Sequence, residues 1–187
     1  MIIGHIGIAF AARAVKRDAP LLWLIVASVA PDIVDVVLGS AGVCNATGVD
    51  SHSLAAVAAT AVVLGAASAW ATRSGRTGML VAALVIVHLL VDYVTGLKVL
   101  WAHGPIVGLD LYHWPIADFA LEAPVIVGGW WLAQRWGDLP RWLDSWLVPL
   151  ALVCLQAAAD GSQRAENPGP PAACAKADIL KGARRLF

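Results

Sequence analysis

The sequence predicts an all-α membrane protein, a polytopic bundle of about five to six apolar helices. Hydrophobic residues make up 59% of the 187 residues and charged residues only 14%, whereas a soluble domain has about 25% charged residues. Nine tryptophans, against three phenylalanines and two tyrosines, are a second indication, because tryptophan favours the membrane–water interface. Each apolar segment should be helical, because a backbone in lipid must hydrogen-bond to itself.

Six apolar segments follow one another, separated by short polar connections: 2–15, 21–38, 54–72, 79–101, 117–136 and 142–158. The first is short, since a helix needs about 20 residues to span the hydrocarbon core. The second contains "PDIVD", and the third is uncharged and rich in small residues, which suits close helix packing. Residues 1–158 form the predicted membrane domain, and the polar, Pro- and Gly-rich residues 159–187 form a predicted flexible tail.

The fourth segment carries an ionisable pair, His88 and Asp92, near its middle. A charged Asp at membrane depth costs on the order of 3 kcal/mol, so the pair needs a compensating interaction. Side chains four residues apart lie on one helix face, which aims the imidazole and the carboxylate at one spot. Two further pairs at helical spacing carry carboxylates only: Asp118 with Glu122, and Asp32 with Asp35.

The Lys and Arg residues of the connections predict an orientation. Seven lie in or beside the connections after the first, third and fifth segments, and none in the connections 39–53 and 102–116. The positive-inside rule places the basic connections in the cytoplasm. We therefore expect an integral protein of the inner membrane, if the source is bacterial. Five Lys and Arg residues in the tail leave open whether the first and last segments cross fully.

All the ionisable residues that stand out in or beside the apolar segments fall on the opposite, outward half of the bundle. Several acids in one low-dielectric site repel one another unless a positive charge lies between them, and only Lys98 is near. A divalent cation is the simplest partner, and mixed His and carboxylate ligands suit Zn²⁺ or a similar metal. The candidate residues are His5, Asp32, Asp35, His52, His88, Asp92, His113, Asp118 and Glu122.

Each pair taken alone also has a simpler explanation than a metal site. A single His–Asp pair inside a bundle is more often an interhelical hydrogen bond than a metal site. Three such groups on one side of the bundle, without basic partners, favour a metal site over interhelical hydrogen bonds. Individual members stay open at this point, since Asp35 could be a helix-end residue and His113 could be an interfacial loop residue.

Four motifs in a fixed order carry a resemblance to a known family. They are "GHIGIAFA", "VAPDIVD", "SHSL" and "HLLVDYVTG". Together they resemble the YdjM-like family of bacterial inner-membrane proteins, described as membrane-bound metal-dependent hydrolases, over about the first 125 residues. That family is considered distantly similar to zinc-dependent phospholipase C and the zinc single-strand nucleases, which are all-helical.

The resemblance implies a site with one, two or three divalent ions, zinc being expected. Its ligands would be His5, Asp32, His52, His88 and Asp92, and a further ion would be completed by His113, Asp118 and Glu122. The sequence departs from the family in two places. "PDIVD" is one residue longer than the usual Pro-Asp-x-Asp, which puts the role of Asp35 in question. The His-Arg-Gly stretch that commonly precedes "SHSL" is missing.

These observations lead to the expectation of a hydrolase that cleaves a phosphoester at the outer face. A phospholipid or another lipid-linked phosphate is the expected substrate because of the depth of the site, and Asp35 or Glu122 is the expected proton acceptor. The lipid bilayer is the expected partner. No nucleic acid is expected, since the net charge is zero. The alternatives are a proton- or metal-coupled transporter and a non-catalytic protein with a structural metal or hydrogen-bond network.

Overall fold

Helices form most of the described structure, a computed structural model that covers residues 2–45 and 48–165. The described helices are α1 (Ile2–Val15), α2 (Leu21–Ser40), α3 (Val49–His52), α4 (Leu54–Thr72), α5 (Gly75–Thr95), α6 (Pro115–Trp136) and α7 (Leu147–Ala165). Between α5 and α6 lie two short antiparallel strands, β1 (Lys98–Val99) and β2 (Ile106–Val107), and one 3-10 turn, Leu111–His113. The all-α class predicted from composition is confirmed.

Four of these helices, α2, α4, α5 and α6, are long and apolar enough to cross a membrane. The apolar parts of α1 and α7 are shorter. The expected segments 21–38, 54–72 and 117–136 appear with bounds within two residues of the prediction. With the shorter α1 and α7, the described residues contain six apolar helices, in agreement with the five to six expected, and four of the six are long enough to cross.

The fourth apolar segment ends earlier than the sequence predicted, at Thr95 instead of residue 101. Gly96 is extended, with φ −134° and ψ −173°, and the following residues exchange helical hydrogen bonds for strand pairing, with Lys98 opposite Val107. Lys98 therefore belongs to the connection between α5 and α6. The Lys and Arg count between the two sets of connections becomes seven against one.

The last apolar segment is also displaced from its expected position. Residues 141–146 form turns, and α7 begins at Leu147 instead of residue 142. The helix then continues to Ala165, so the first seven residues of the predicted tail, 159–165, are helical. The rest of that tail, 166–187, lies outside the described residues.

Close backbone contacts at glycine fix how the helices cross. A Cβ on Gly7 of α1 would lie 2.7 Å from the Cα of Ile126 in α6, and a Cβ on Gly129 would lie 3.1 Å from the Cα of Gly7. In the same way, a Cβ on Gly78 of α5 would lie 2.6 Å from the carbonyl oxygen of Gly65 in α4. These contacts hold α1 against α6 and α4 against α5.

The alternating direction of the helices gathers particular segments at one end of the bundle. The C-terminal ends of α2 and α5 meet the N-terminal ends of α1, α4 and α6, with α3 and the two strands between them. Apolar side chains fill the bundle below, among them Leu24, Ala27, Val81 and Val85. This end, opposite the basic connections, is where the sequence placed its candidate residues.

Candidate metal centre

His88 and Asp92 lie on the inner face of α5 and are each 1% exposed. Their spacing of four residues puts both side chains on one face, as the sequence predicted. The His88 Nε2 atom lies 3.5 Å from Asp92 Oδ2. Two other chain segments complete their surroundings.

Asp32 from α2 and His52 from α3 meet this pair. One ligand atom from each of Asp32, His52, His88 and Asp92 lies within 4.8 Å of the other three. The His52 Nε2 atom is 3.1 Å from Asp92 Oδ2 and 3.4 Å from Asp32 Oδ1. We call these four residues the His–Asp group.

The local backbone explains how His52 reaches the group. Gly48 starts α3 in the left-handed region, with φ 68°, where glycine carries no steric penalty. Ser53 is extended and ends α3 after one turn, and its hydroxyl accepts a hydrogen bond from the Ala56 N–H at the start of α4. The resulting corner leaves His52 fully buried.

The His88 ring has a defined tautomer. Its Nδ1 atom lies 2.7 Å from the carbonyl oxygen of Ser28. A carbonyl oxygen only accepts hydrogen bonds, so the Nδ1–H donates. In the neutral imidazole, Nε2 therefore carries a lone pair that faces the His–Asp group.

A network of polar side chains favours the same Nδ1–H tautomer for His52. The Ser51 hydroxyl donates to Asp35 Oδ1 at 2.7 Å, and Asn45 Nδ2 donates to the same hydroxyl at 3.0 Å. Because its single proton is used on Asp35, the hydroxyl accepts from His52 Nδ1 at 2.7 Å. Asp35 Oδ2 also lies 3.2 Å from that nitrogen. Nε2 is again the atom turned to the group.

Four atoms with lone pairs, one from each residue of the group, therefore face one another. A positive charge is needed to offset their repulsion. The Nε2 atoms of His52 and His88 lie 3.2 Å apart, with Asp32 and Asp92 beside them. Burial lowers the pKa of His52, but hydrogen bonds to Asp32, Asp35 and Asp92 raise it more, to about 10. A proton on His52 or a bound cation can supply the charge, and a cation would compete with that proton.

The donor set fits a transition-metal ion. Two imidazole nitrogens and two carboxylates are a ligand combination found for zinc. Histidine ligands of metals almost always donate their second ring N–H to a carboxylate, a carbonyl or a similar acceptor, as His52 and His88 do here. The four residues could therefore hold one divalent ion.

His5 lies beside the group instead of in it. Its Nε2 atom is 3.1 Å from Asp92 Oδ1, whereas His52 contacts Asp92 Oδ2, and the His5 ring packs on His88 with centroids 3.9 Å apart. It is fully buried and orients Asp92. Its assignment as a ligand stays a prediction.

Lys98, the basic residue that the sequence placed near the candidate residues, also reaches the group. Its Nζ atom lies 3.2 Å from Asp92 Oδ2. The strand that carries it brings the side chain back over the end of α5.

Asp118 and Glu122 form a separate buried pair near α7. Asp118 is 1% exposed and Glu122 is fully buried, and neither belongs to the His–Asp group. Asp160 of α7 is also buried, and its Oδ1 atom accepts from Gln156 Nε2 at 2.7 Å. A further ion completed by Asp118 and Glu122 stays a prediction, as does Glu122 as proton acceptor.

His113 and Asp35 are also not members of the His–Asp group. The His113 side chain is 76% exposed, and its Nδ1 atom pairs with Asp110 Oδ2 at 2.7 Å. Asp35 lies behind His52, where its carboxylate is hydrogen-bonded to Ser51 and Asn45. Asp35 is therefore positioned to orient the His52 ring, and its role as proton acceptor stays a prediction.

Sequence reasoning missed three participants, Ser28, Asn45 and Ser51, and it placed Lys98 near the site without pairing it with Asp92. Ser28 takes part through its carbonyl group, which no side-chain pattern reports. Ser51 could have been found as the neighbour of His52, because a small hydroxyl residue beside a buried histidine is a candidate hydrogen-bond partner. Asn45 and Lys98 reach the site only through the course of two connections.

No family model, curated protein or solved structure matches the chain. The class of protein is therefore defined by the fold and the site. The described part of the chain is a helical bundle with four helices long and apolar enough to cross a membrane, and it carries a largely buried His–Asp group that could hold a metal ion. The resemblance to the YdjM-like family stays a prediction.

Proposed function

We propose that this protein is a membrane-bound metal-dependent hydrolase of the YdjM-like kind, which cleaves a phosphoester, lipid-linked in its natural form, at the non-cytoplasmic face of a bacterial inner membrane. The ion is zinc or a similar divalent metal. The observation that carries the proposal is the pair of Nε2 atoms 3.2 Å apart between two carboxylates.

Asp32, His52, His88 and Asp92 would hold the ion. A divalent ion in such a site supplies Lewis-acid activation of a water molecule and of a phosphoryl oxygen. The chain itself contributes orientation: Ser28 and Ser51 hold the two rings by their Nδ1 atoms, and His5 holds Asp92 by Oδ1. Asp32 is the ligand open to the outside, with a side chain 16% exposed.

The location of the group supports a membrane-linked phosphoester. It lies among the ends of helices that are apolar enough to cross a membrane, at the end opposite seven Lys and Arg residues. A substrate whose phosphate lies at the lipid headgroup level would reach this depth without leaving the membrane. The positive-inside rule supports the outward orientation.

The distribution of charge disfavours the transporter alternative. In the described residues, the buried ionisable side chains are His5, His52, His88, Asp92, Asp118, Glu122 and Asp160, and all of them lie towards the same end of the bundle. A proton or metal pathway requires such groups along the whole crossing. The arrangement is that of a site at one surface.

The metal content of the purified protein tests the proposal. Detergent-solubilised wild type, His88→Ala and Asp92→Ala are supplied with zinc and manganese, dialysed and measured by mass spectrometry. We expect near-stoichiometric metal in the wild type and loss of most of it in both variants, because each removes one of four ligands. Hydrolysis of a chromogenic phosphodiester and of a phospholipid should fall in parallel.

Asp18→Ala is the matched control, since Asp18 is an exposed carboxylate at the basic end, paired with Lys16. It should keep the metal and the activity. Wild-type protein that stays free of metal would contradict the proposal. Bound metal without hydrolysis of either substrate would indicate that the metal is structural and would refute the proposed hydrolase activity.

A further inference from the structure

Lys98 holds a position in the site that the proposed ligand set leaves unexplained. Its Nζ atom lies 3.2 Å from Asp92 Oδ2, and this same oxygen lies 3.1 Å from His52 Nε2 and 3.5 Å from His88 Nε2. Among the described residues, it is the one Lys or Arg that contacts the His–Asp group. Its side chain is 18% exposed, against 1% for Asp92.

The same carboxylate oxygen cannot serve both cations well. Asp92 Oδ2 is the oxygen that faces both imidazoles, so it is the oxygen that would contact a metal. Two positive charges on one oxygen repel each other strongly in a low-dielectric site. When a metal is present, the ammonium of Lys98 therefore needs another negative group near the mouth of the site.

The backbone around Lys98 keeps it close to that mouth. β1 pairs with β2, which places Lys98 opposite Val107. The Leu54 N–H donates to the Leu100 carbonyl at 2.9 Å, and the Leu109 N–H donates to the Tyr93 carbonyl at 2.9 Å. These bonds tie the strands to the start of α4 and the end of α5, so the flexible side chain, and not the backbone, is free to change partner.

We propose that Lys98 binds a phosphoryl oxygen of the substrate, between the metal held by the His–Asp group and the outside. The proposal rests on the proposed function and names the oxyanion subsite of that site. Lys98 leaves Asp92 Oδ2 when the metal binds, and the substrate phosphate becomes its new partner. A lysine ammonium is a flexible point charge with three donors, suited to phosphate oxygens.

The test compares Lys98→Met and Lys98→Arg with the wild type in two titrations. The first measures zinc affinity of the metal-free protein, and the second measures inorganic phosphate binding to the zinc-loaded protein, both by calorimetry. Lys16→Met is the matched control, because Lys16 lies at the basic end and pairs with Asp18.

The two affinities should change in opposite directions. Lys98→Met should bind zinc more tightly than the wild type, because the competing ammonium is gone. It should bind phosphate about tenfold to hundredfold more weakly, the value expected for one lost charged hydrogen bond. Lys98→Arg should retain phosphate binding within about tenfold, and Lys16→Met should match the wild type in both titrations.

A purely structural Lys98 would weaken both affinities together, and this result would overturn the inference. Phosphate binding that is unchanged in Lys98→Met, or absent from zinc-loaded wild type, would also overturn it while leaving the metal site intact. Failure of the wild type to bind zinc would remove the proposed function and the inference together.

Repeating the phosphate titration with short-chain phosphatidic acid then distinguishes two sources of the phosphate. A lipid headgroup is indicated if phosphatidic acid binds more tightly than inorganic phosphate, and a soluble phosphoester is indicated if it does not.

Discussion

The two ends of the bundle differ in the sign and the burial of their ionisable side chains. At the basic end, Arg13 donates from Nε to the Gly137 carbonyl at 2.8 Å and from a terminal nitrogen to the Ala19 carbonyl. Lys16 pairs at 2.7 Å with Asp18, whose side chain is 80% exposed. At the other end, buried imidazole nitrogens and carboxylates face one another.

This difference separates charged groups that stabilise the fold from charged groups that can bind a ligand. Arg13 satisfies the carbonyl of Gly137 at the C-terminal end of α6, where positive charge also favours the helix dipole, and the carbonyl of Ala19 in the connection before α2. At the other end, imidazole nitrogens and carboxylates lie 3.1 to 3.5 Å from one another, and Lys98 contacts one of these carboxylates, so a further proton or a metal ion is needed to offset the remaining repulsion. We expect changes at the basic end to affect stability and changes at the His–Asp end to affect ligand binding.

The largest effect should come from Gly129→Ala, which acts on both ends at once. The new Cβ would overlap the backbone of Gly7, so α1, which carries His5 at one end and Arg13 at the other, must move away from α6. Overpacking typically costs about 1 to 3 kcal/mol, and we expect about 3 kcal/mol or more because the obstacle is backbone. Thermal unfolding in detergent measures the loss.

The adjacent glycine provides the control for this variant. A Cβ on Gly128 would have nothing within 4 Å, so Gly128→Ala should unfold at a temperature no lower than the wild type. Equal stability of the two variants would show that the crossing of α1 and α6 tolerates a wider separation.

A selective effect at the His–Asp end should follow from Asp35→Asn. The substitution removes the charge behind the His52 Nδ1–H while leaving all four ligands in place. Loss of a partner that orients a metal-binding histidine typically weakens metal affinity about tenfold to hundredfold. Zinc titration by calorimetry should show this loss, and the helical circular dichroism signal should stay the same.

Asp50→Asn is the matched substitution, in α3, the short helix that carries His52. Asp50 is exposed and its side chain is hydrogen-bonded to none of the four ligands, so zinc affinity should be unchanged. If Asp35→Asn binds zinc like the wild type, the orienting role of the Ser51–Asp35 network is refuted.

The smallest effect should come from Lys16→Met at the basic end. The pair with Asp18 is solvent-accessible, and exposed ion pairs contribute about 0 to 1 kcal/mol. Chemical denaturation should show a change of less than about 1 kcal/mol, with unchanged zinc affinity. A larger loss would mean that single ion pairs at this end stabilise the fold more than the comparison implies.

Much of the fold could be predicted because its signals are local. Composition and segment length established the membrane helices, and the bounds 54–72 were predicted without error. The end of α5 was missed because residues 96–101 are apolar apart from Lys98, although their backbone has left the helix and forms strand β1 at Lys98–Val99. Hydropathy reports the environment of a segment and carries little information about its backbone conformation.

The sequence by itself determined that His88 and Asp92 share a helix face, since a spacing of four residues is a local property of any α-helix. Only the tertiary structure decided that Asp32 and His52 join them, that Asp118 and Glu122 lie apart, and that Lys98 turns back onto Asp92. These outcomes depend on how each helix is rotated about its axis and where each connection leads. Both are decided by contacts between distant residues, such as Gly7 against Gly129.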